Sequence, residues 1–164
     1  MTTSQPPGGT VVPESVAADA FLEGLAAQDQ ARSAPAVPQF ALADTFFADL
    51  AGQDFVRLGD ALTADVRLRA LLPGGLREWD GAEAITDRFA TWFGDTENFE
   101  LVEAAAEEVG GRLHLYWRLR LRAERLGPGW FTVEQQAYAD TADGGRIARL
   151  DLLCTGYLPE RGDG

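Results

Sequence analysis

Residues 113–122, LHLYWRLRLR, alternate between apolar and more polar side chains. In an extended chain, Leu113 and Trp117 face one side, whereas His114 and Arg118 face the other. A period of two residues is typical of a strand with one face in the core and the other near solvent. The segment therefore predicts a long antiparallel strand that needs an apolar partner layer.

Further period-two segments lie on both sides of this strand. Several run to about ten residues or more, and antiparallel strands of that length twist and bend. We therefore expect a strongly curved sheet with bulges. The predicted strands are residues 66–71, 98–108, 113–122, 131–138 and 147–158, the last ended by Pro159, with glycine turns at 110–111 and 143–145.

Three helices are predicted ahead of most of the sheet, because apolar residues there recur with a period near 3.6. Aspartates and glycines supply the expected start and stop signals. The first helix carries Phe40, Ala43, Phe47 and Leu50 and ends at Gly52. The second starts at Asp54 and carries Phe55, Leu58 and Leu62. The third starts with a capping box from Asp80 to Glu83, carries Ile85, Phe89, Trp92 and Phe93, and ends at Gly94.

The N-terminal segment differs from the rest in composition. Residues 1–13 are rich in Pro, Gly and Thr, and an alanine-rich helix is predicted from Glu14 to about Arg32. Two prolines, Pro35 and Pro38, then prevent helix continuation. We expect 1–36 to be a flexible tail with a short helix, 37–159 to be the folded domain, and 160–164 to be a second tail.

The residue counts exclude several kinds of chemistry. The chain has no lysine, which removes lysine Schiff bases and the lysine of a phosphate-binding loop. Its single cysteine, Cys154, excludes an intrachain disulfide, and with the single His114 it cannot form a structural zinc site. All serines lie before residue 34, which argues against a Ser-His-Asp hydrolase. We expect neither a metal nor a cofactor.

The charge of the chain disfavours two kinds of partner. Its 26 acidic and 14 basic residues give a net charge of −12. Such a charge repels nucleic-acid backbones and anionic lipid surfaces, so we expect neither partner. The first ten residues, MTTSQPPGGT, lack the cationic start of a secretory signal, and we expect a cytoplasmic protein.

Three helices followed by a curved antiparallel sheet make an α+β layout. The order of these elements resembles the nuclear transport factor 2-like superfamily, especially its SnoaL-like branch. The matching segments are QFALADTFFADLAGQDF (39–55), LTADVRL (62–68), WDGAEAITDRFATWF (79–93), YWRLRLR (116–122), FTVEQQAY (131–138), GGRIARLDLL (144–153) and CTGYLP (154–159). The resemblance implies a cone-shaped α+β barrel in which three helices pack on a strongly curved mixed or antiparallel sheet around an apolar pocket.

The resemblance also shows which catalytic groups this chain lacks. In the ketosteroid isomerases a tyrosine, a carboxylate base and a protonated aspartate do the chemistry. Matched on the turn before Phe55, those positions fall on Phe46, near Ala70 and near Gln135. SnoaL-type cyclases use an acid near Gln135 and a histidine after the Trp-Arg strand, where residues 121–125 contain none. A ketosteroid isomerase is therefore disfavoured.

Gln135 and Asp151 are the candidate catalytic residues. Gln135 is the one polar residue on the apolar face of its strand; a buried amide of this kind binds either a ligand or neighbouring backbone. Asp151 interrupts an apolar run. If it faces inward, burial would make it a general base; if Leu150 and Leu152 face inward, it pairs with a surface arginine.

Other residues allow both a functional and a structural interpretation. Glu103 has the same ambiguity of facing as Asp151, His114 is expected on the outer or subunit-contact face, and Cys154 is expected to be a small buried hydrophobe. The residues expected to wall a ligand pocket are Phe46, Phe47, Leu68, Trp92, Leu115, Trp117, Val133 and Cys154.

Two classes of function stay open from the sequence. The first is a protein that binds a small apolar carbonyl, polyketide-like or terpenoid-like molecule and acts as a cofactor-independent isomerase, cyclase or dehydratase. The second is a non-catalytic binding or dimeric assembly module that has lost the catalytic acids. A homodimer is expected through the outer face that carries Tyr116, Arg118, Arg120 and Tyr138, where arginine and tyrosine favour interfaces.

Overall fold

Seven strands form one mixed sheet in the computed structural model, which describes residues 38–142 and 144–162. The order across the sheet is β2-β1-β6-β5-β4-β3, and β7 pairs with β5. The β1–β6 pair is parallel, and the other neighbours are antiparallel. The strands are β1 (Leu62–Leu72), β2 (Gly75–Asp80), β3 (Asn98–Val109), β4 (Arg112–Arg122), β5 (Phe131–Thr141), β6 (Ile147–Cys154) and β7 (Leu158–Pro159).

Three α-helices accompany the sheet in the described part of the chain: α1 (Pro38–Ala51), α2 (Phe55–Leu58) and α3 (Ala82–Phe93). The Asp54 side chain accepts a hydrogen bond from the backbone N–H of Arg57 at 3.1 Å, which confirms the predicted N-cap of α2. The α+β cone fold expected from the resemblance is confirmed, although the sheet is not closed, since β2 and β3 lie at opposite ends of the strand order and do not pair with each other.

The core lies between the helices and the inner face of the sheet. The predicted apolar face of β4 is fully buried at Leu113, Leu115 and Trp117, and the alternate residues are half-buried. Aromatic side chains of α1 and α3, among them Phe46 and Phe89, complete the same apolar cluster. Burial of this face is the main force that holds the helices on the sheet.

Two element boundaries differ from the sequence prediction. Asp80 is the last residue of β2, where it pairs with Arg67, and Gly81 takes the N-cap of α3 with no side-chain hydrogen bond. The predicted capping box was therefore wrong. Leu62 starts β1 instead of ending α2, because a short 3₁₀ turn over Gly59–Ala61 separates them.

The strand predicted over residues 147–158 is also divided. β6 ends at Cys154, and residues 155–157 leave the sheet before β7. Gly156 has φ +75°, which other residues adopt only with strain. The expected bulges are present as register shifts between Leu62 and Arg67, between Leu101 and Glu103 and near Thr141.

Some predicted features lie outside the described residues, namely the helix over 14–32 and Asp143 of the last turn. Within the described residues, no helix combines the length and apolar character needed to cross a membrane.

Candidate functional site

A largely apolar cavity of about 510 Å³ opens at one end of the sheet. Four of the predicted site residues line it, namely Trp92, Val133, Gln135 and Cys154. The rest of its wall comes from Leu72, Pro73, Phe93 and residues 155–158. No acidic or basic side chain of the described residues lines this cavity. It is therefore suited to a mostly uncharged ligand.

Gln135 is a buried amide in this wall, with 1% of its surface exposed. It lies directly opposite Trp117 in the β4–β5 register, and the indole Nε1–H donates to its Oε1 at 2.8 Å. An indole nitrogen only donates, so the amide oxygen must face Trp117. The Gln135 Nε2 donor is thereby directed away from Trp117.

The Gln135 Nε2 group has no hydrogen-bond partner among the described residues. A buried amide donor without a partner costs about 1–3 kcal/mol relative to a satisfied one. A ligand that brings a carbonyl or hydroxyl oxygen to this nitrogen would recover that cost. The cavity thus combines largely apolar walls with one amide whose nitrogen has no partner among the described residues.

The deep end of the cone is filled with aromatic side chains. The Phe46 ring centroid lies 5.5 Å from that of Trp117 and 6.2 Å from that of Phe89. Five further residues predicted to contact a ligand belong to the core cluster and do not line this cavity. These residues, all in the core, are Phe46, Phe47, Leu68, Leu115 and Trp117.

Asp151 lies on the opposite face of the sheet from Gln135. Its neighbours Leu150 and Leu152 are buried, whereas Asp151 pairs with Tyr138 on the outer side of β5 and β6. The structure therefore does not bring the two candidate catalytic residues together. Of the two alternatives for Asp151, the structure shows the one in which Leu150 and Leu152 face inward and Asp151 pairs with surface arginines.

Three arginines surround the Asp151 carboxylate, with Arg112 Nη2 at 2.9 Å, Arg69 Nε at 3.2 Å and Arg149 Nε at 3.5 Å. Burial acts to raise the pKa of Asp151, but the Arg112 hydrogen bond and the three positive charges outweigh it and hold that pKa below its ordinary value. Asp151 is therefore a charged structural residue rather than a base with access to the cavity.

His114 and Glu103 also lie on the outer side of the sheet. His114 stacks on Tyr138 with ring centroids 4.7 Å apart, and its Nδ1 lies 3.0 Å from a Glu107 carboxylate oxygen. Glu103 pairs with Arg118 at 3.3 Å. Neither residue lines the cavity.

Tyr157 is a cavity residue that sequence reasoning missed. Its hydroxyl donates to the Trp92 carbonyl oxygen at 2.7 Å, and Arg125 Nη2 donates to the same oxygen at 2.6 Å. Burial raises the pKa of Tyr157, although the Arg125 hydrogen bond acts in the other direction. The phenol therefore stays protonated near neutral pH and fixes the cavity mouth. The sequence signal that could have revealed this part of the cavity was Gly156, because a glycine inside a predicted strand often marks a point where the strand is interrupted.

Similar folds occur among solved structures. Bal32a from a soil-derived mobile gene cassette matches with a TM-score of 0.58 and 17% identity over 71% of this chain and 88% of that one. A protein assigned as a SnoaL-like polyketide cyclase from Shewanella putrefaciens matches with a TM-score of 0.57 and 12% identity over 71% of this chain and 88% of that one. A steroid delta-isomerase from Pseudomonas aeruginosa matches with a TM-score of 0.53 and 18% identity over 72% of this chain and 80% of that one.

These likenesses establish the fold. The chain has the cone-shaped α+β fold of SnoaL-like and ketosteroid isomerase-like proteins, as the sequence resemblance implied. No protein-family model matches the sequence, and no curated protein matches it. Because one fold carries many activities, function has to be argued from the cavity itself.

Proposed function

We propose that this protein binds a small, mostly apolar molecule through one carbonyl or hydroxyl oxygen that accepts a hydrogen bond from Gln135. The observation that supports this proposal is the Gln135 Nε2 donor, unpartnered among the described residues, in the wall of an otherwise largely apolar cavity. A polyketide-like or terpenoid-like ketone has the required combination of apolar surface and one acceptor.

The cavity favours binding over proton-transfer catalysis. Isomerases and cyclases that work without a cofactor need a group that removes a proton beside the carbonyl. No carboxylate or imidazole of the described residues lines the cavity, and Asp151 lies on the other face. Gln135 can polarise a carbonyl, so any isomerisation, cyclisation or dehydration would depend on that donor.

Titration with two matched terpenoids, followed by tryptophan fluorescence, tests this proposal. Fluorescence should report binding because Trp92 lines the cavity and Trp117 contacts Gln135. Dihydrocarvone carries a ketone, and limonene is a hydrocarbon of similar shape. We expect saturable binding of dihydrocarvone to the wild type. In Gln135→Leu the binding of dihydrocarvone should weaken by about 1–2 kcal/mol, whereas limonene should bind this variant as well as it binds the wild type, or better.

Gln39→Leu is the matched control, because it changes the same residue type at a position on α1 that does not line the cavity. It should leave both affinities unchanged. Gln135→Leu leaves the Trp117 indole without its acceptor, so thermal unfolding should confirm that the variant is folded at the assay temperature. An equal loss of both ligands in Gln135→Leu, or no binding by the wild type, would contradict the proposal.

We further propose a homodimer through the outer face of the sheet. An apolar stripe of Leu76, Leu71 and Leu153 crosses β2, β1 and β6 in register and continues to Gln136 and Tyr116 on β5 and β4. Exposed apolar patches of this kind favour protein contacts. The second copy is the expected occupant, because the resemblance implies pairing through this face.

The arginines expected at this interface are engaged within the chain. Arg118 lies 3.3 Å from Glu103 and 3.8 Å from Glu134, and Arg120 lies 2.9 Å from Glu160. Their charges are therefore already balanced, and the leucine stripe supplies the apolar area that a dimer would bury.

A further inference from the structure

We infer that Cys154 captures α,β-unsaturated carbonyl ligands covalently, as the nucleophile of the Gln135 cavity. This inference rests on the proposed function, because the same amide would hold the carbonyl group of the ligand. It adds a reactive site and a narrower ligand class, the enones.

The β5–β6 register places Cys154 directly opposite Gln135. Directly paired residues on one face of an antiparallel sheet have Cβ atoms about 4.5–5.5 Å apart, so both side chains can reach one small molecule. Both residues line the cavity. An enone has a carbonyl oxygen and an electrophilic β-carbon separated by two carbon atoms, which matches a donor and a nucleophile on neighbouring strands.

The Cys154 side chain is partly exposed, and its sulfur accepts a backbone hydrogen bond. Cys154 lines the same cavity as Gln135. The backbone N–H of Gly156 donates to Sγ at 3.3 Å. The thiolate is the nucleophilic form of cysteine.

The second observation that points to a ligand is the Gln135 Nε2 donor, buried and without a partner among the described residues. During the addition, negative charge moves onto the carbonyl oxygen as an enolate. A donor already placed at that oxygen stabilises the transition state more than the ground state. Gln135 therefore accelerates the addition as well as binding the ligand.

The proposed step is a conjugate addition that is balanced without an oxidant or reductant. Cys154 releases its proton to solvent, and the thiolate attacks the β-carbon. A carbon–sulfur bond forms, and the carbon–carbon π bond breaks as its electrons pass to the enolate. The α-carbon then takes a proton from solvent, so the product contains the whole protein and the whole ligand.

Intact-protein mass spectrometry with carvone, an enone, and dihydrocarvone, its ring-saturated analogue, tests this step on the full chain. The chain has one cysteine and no lysine, which simplifies assignment of the adduct. We expect one whole carvone mass to be added to the wild type and none to Cys154→Ser or with dihydrocarvone. In Gln135→Leu the rate should fall about tenfold, and in Gln39→Leu, which changes a glutamine of α1 that does not line the cavity, it should not change.

Methyl methanethiosulfonate, which has no carbonyl group, measures thiol access and should react with wild type and Gln135→Leu at rates within about twofold of each other. Three results would overturn the inference: no carvone adduct on a wild type that binds dihydrocarvone, an equal rate in Gln135→Leu, or a rate no faster than that of the urea-unfolded chain. The first of these would leave the proposed function intact, whereas failure to bind dihydrocarvone would contradict the proposed function itself.

Discussion

Asp151 shows how one side chain can hold several strands together. Its carboxylate, 18% exposed, joins Arg69 of β1, Arg112 of β4 and Arg149 of β6. Because these arginines keep its pKa below the ordinary value, the folded chain gives up the Asp151 proton at a lower pH than the unfolded chain. The resulting stability is fully present above the unfolded pKa of about 3.9 and is lost as pH falls through the native pKa.

We expect Asp151→Asn to lower the free energy of unfolding by about 1 kcal/mol near neutral pH, a modest value because the arginines are partly exposed. The difference from wild type should shrink as the pH falls below the unfolded pKa of about 3.9 and through the lower native pKa, because the wild-type carboxyl then also becomes neutral. Urea unfolding followed by circular dichroism at several pH values measures this.

Asp80→Asn is the matched control for this prediction. Asp80 pairs with Arg67 at 3.0 Å, but both side chains are 72% exposed. The control should change stability little at any pH. A difference between wild type and Asp151→Asn that stays constant across the whole pH range would contradict the predicted role of the charge.

At the scale of elements, the β1–β2 turn meets the segment between β6 and β7 at the cavity. Gly156 has φ +75°, and a Cβ at this position would lie 2.6 Å from Pro73 Cγ. A proline ring cannot rotate away as a flexible side chain can. Gly156 therefore allows the backbone at Cys154 and Tyr157 to approach the turn and form the cavity mouth.

We expect Gly156→Ala to destabilise the fold by about 2–4 kcal/mol, the sum of left-handed backbone strain and the contact with Pro73. Gly129→Ala is the matched control, since Gly129 has φ +94° but an added Cβ there would meet nothing within 4 Å. It should cost only about 1–2 kcal/mol. Thermal unfolding compares the two.

The double variant Gly156→Ala/Pro73→Ala separates the two contributions. Removal of the proline ring should restore part of the stability lost in Gly156→Ala, because the contact disappears while the strain remains. Equal costs for Gly156→Ala and Gly129→Ala would show that the close approach to Pro73 contributes nothing.

At the scale of the molecule, the outer leucine stripe predicts self-association. Leu71, Leu76 and Leu153 are 50%, 54% and 48% exposed, and they are adjacent across the register. We expect light scattering at micromolar concentration to give the mass of a dimer for the wild type. Leu153→Glu should give the mass of a monomer, because association would bury a negatively charged glutamate from each copy in the same interface, where the two charges repel each other.

Val56→Glu is the matched control, since Val56 is 86% exposed on α2 and lies outside the stripe. It should remain dimeric. A monomeric wild type at micromolar concentration would contradict the dimer proposal, and a dimeric, folded Leu153→Glu would place the interface elsewhere.

The amino-acid sequence by itself determined which residues face inward on the regular strands. Strict alternation in β4 and β5 placed Trp117 and Gln135 inside, because a pleated strand with one buried face fixes the direction of every second side chain. The α+β class followed from the change of hydrophobic period, and the break at Gly52 followed from local backbone preferences.

Only the tertiary structure decided the features that depend on distant segments. The apolar run around Asp151 fits either facing, and pairing with β1 and β5 settled it. The parallel β1–β6 pair, the aromatic filling of the deep end and the contact of Pro73 with Gly156 likewise join residues far apart in the chain. Local patterns fix the direction of a side chain, whereas the free volume beside it depends on every element packed around it.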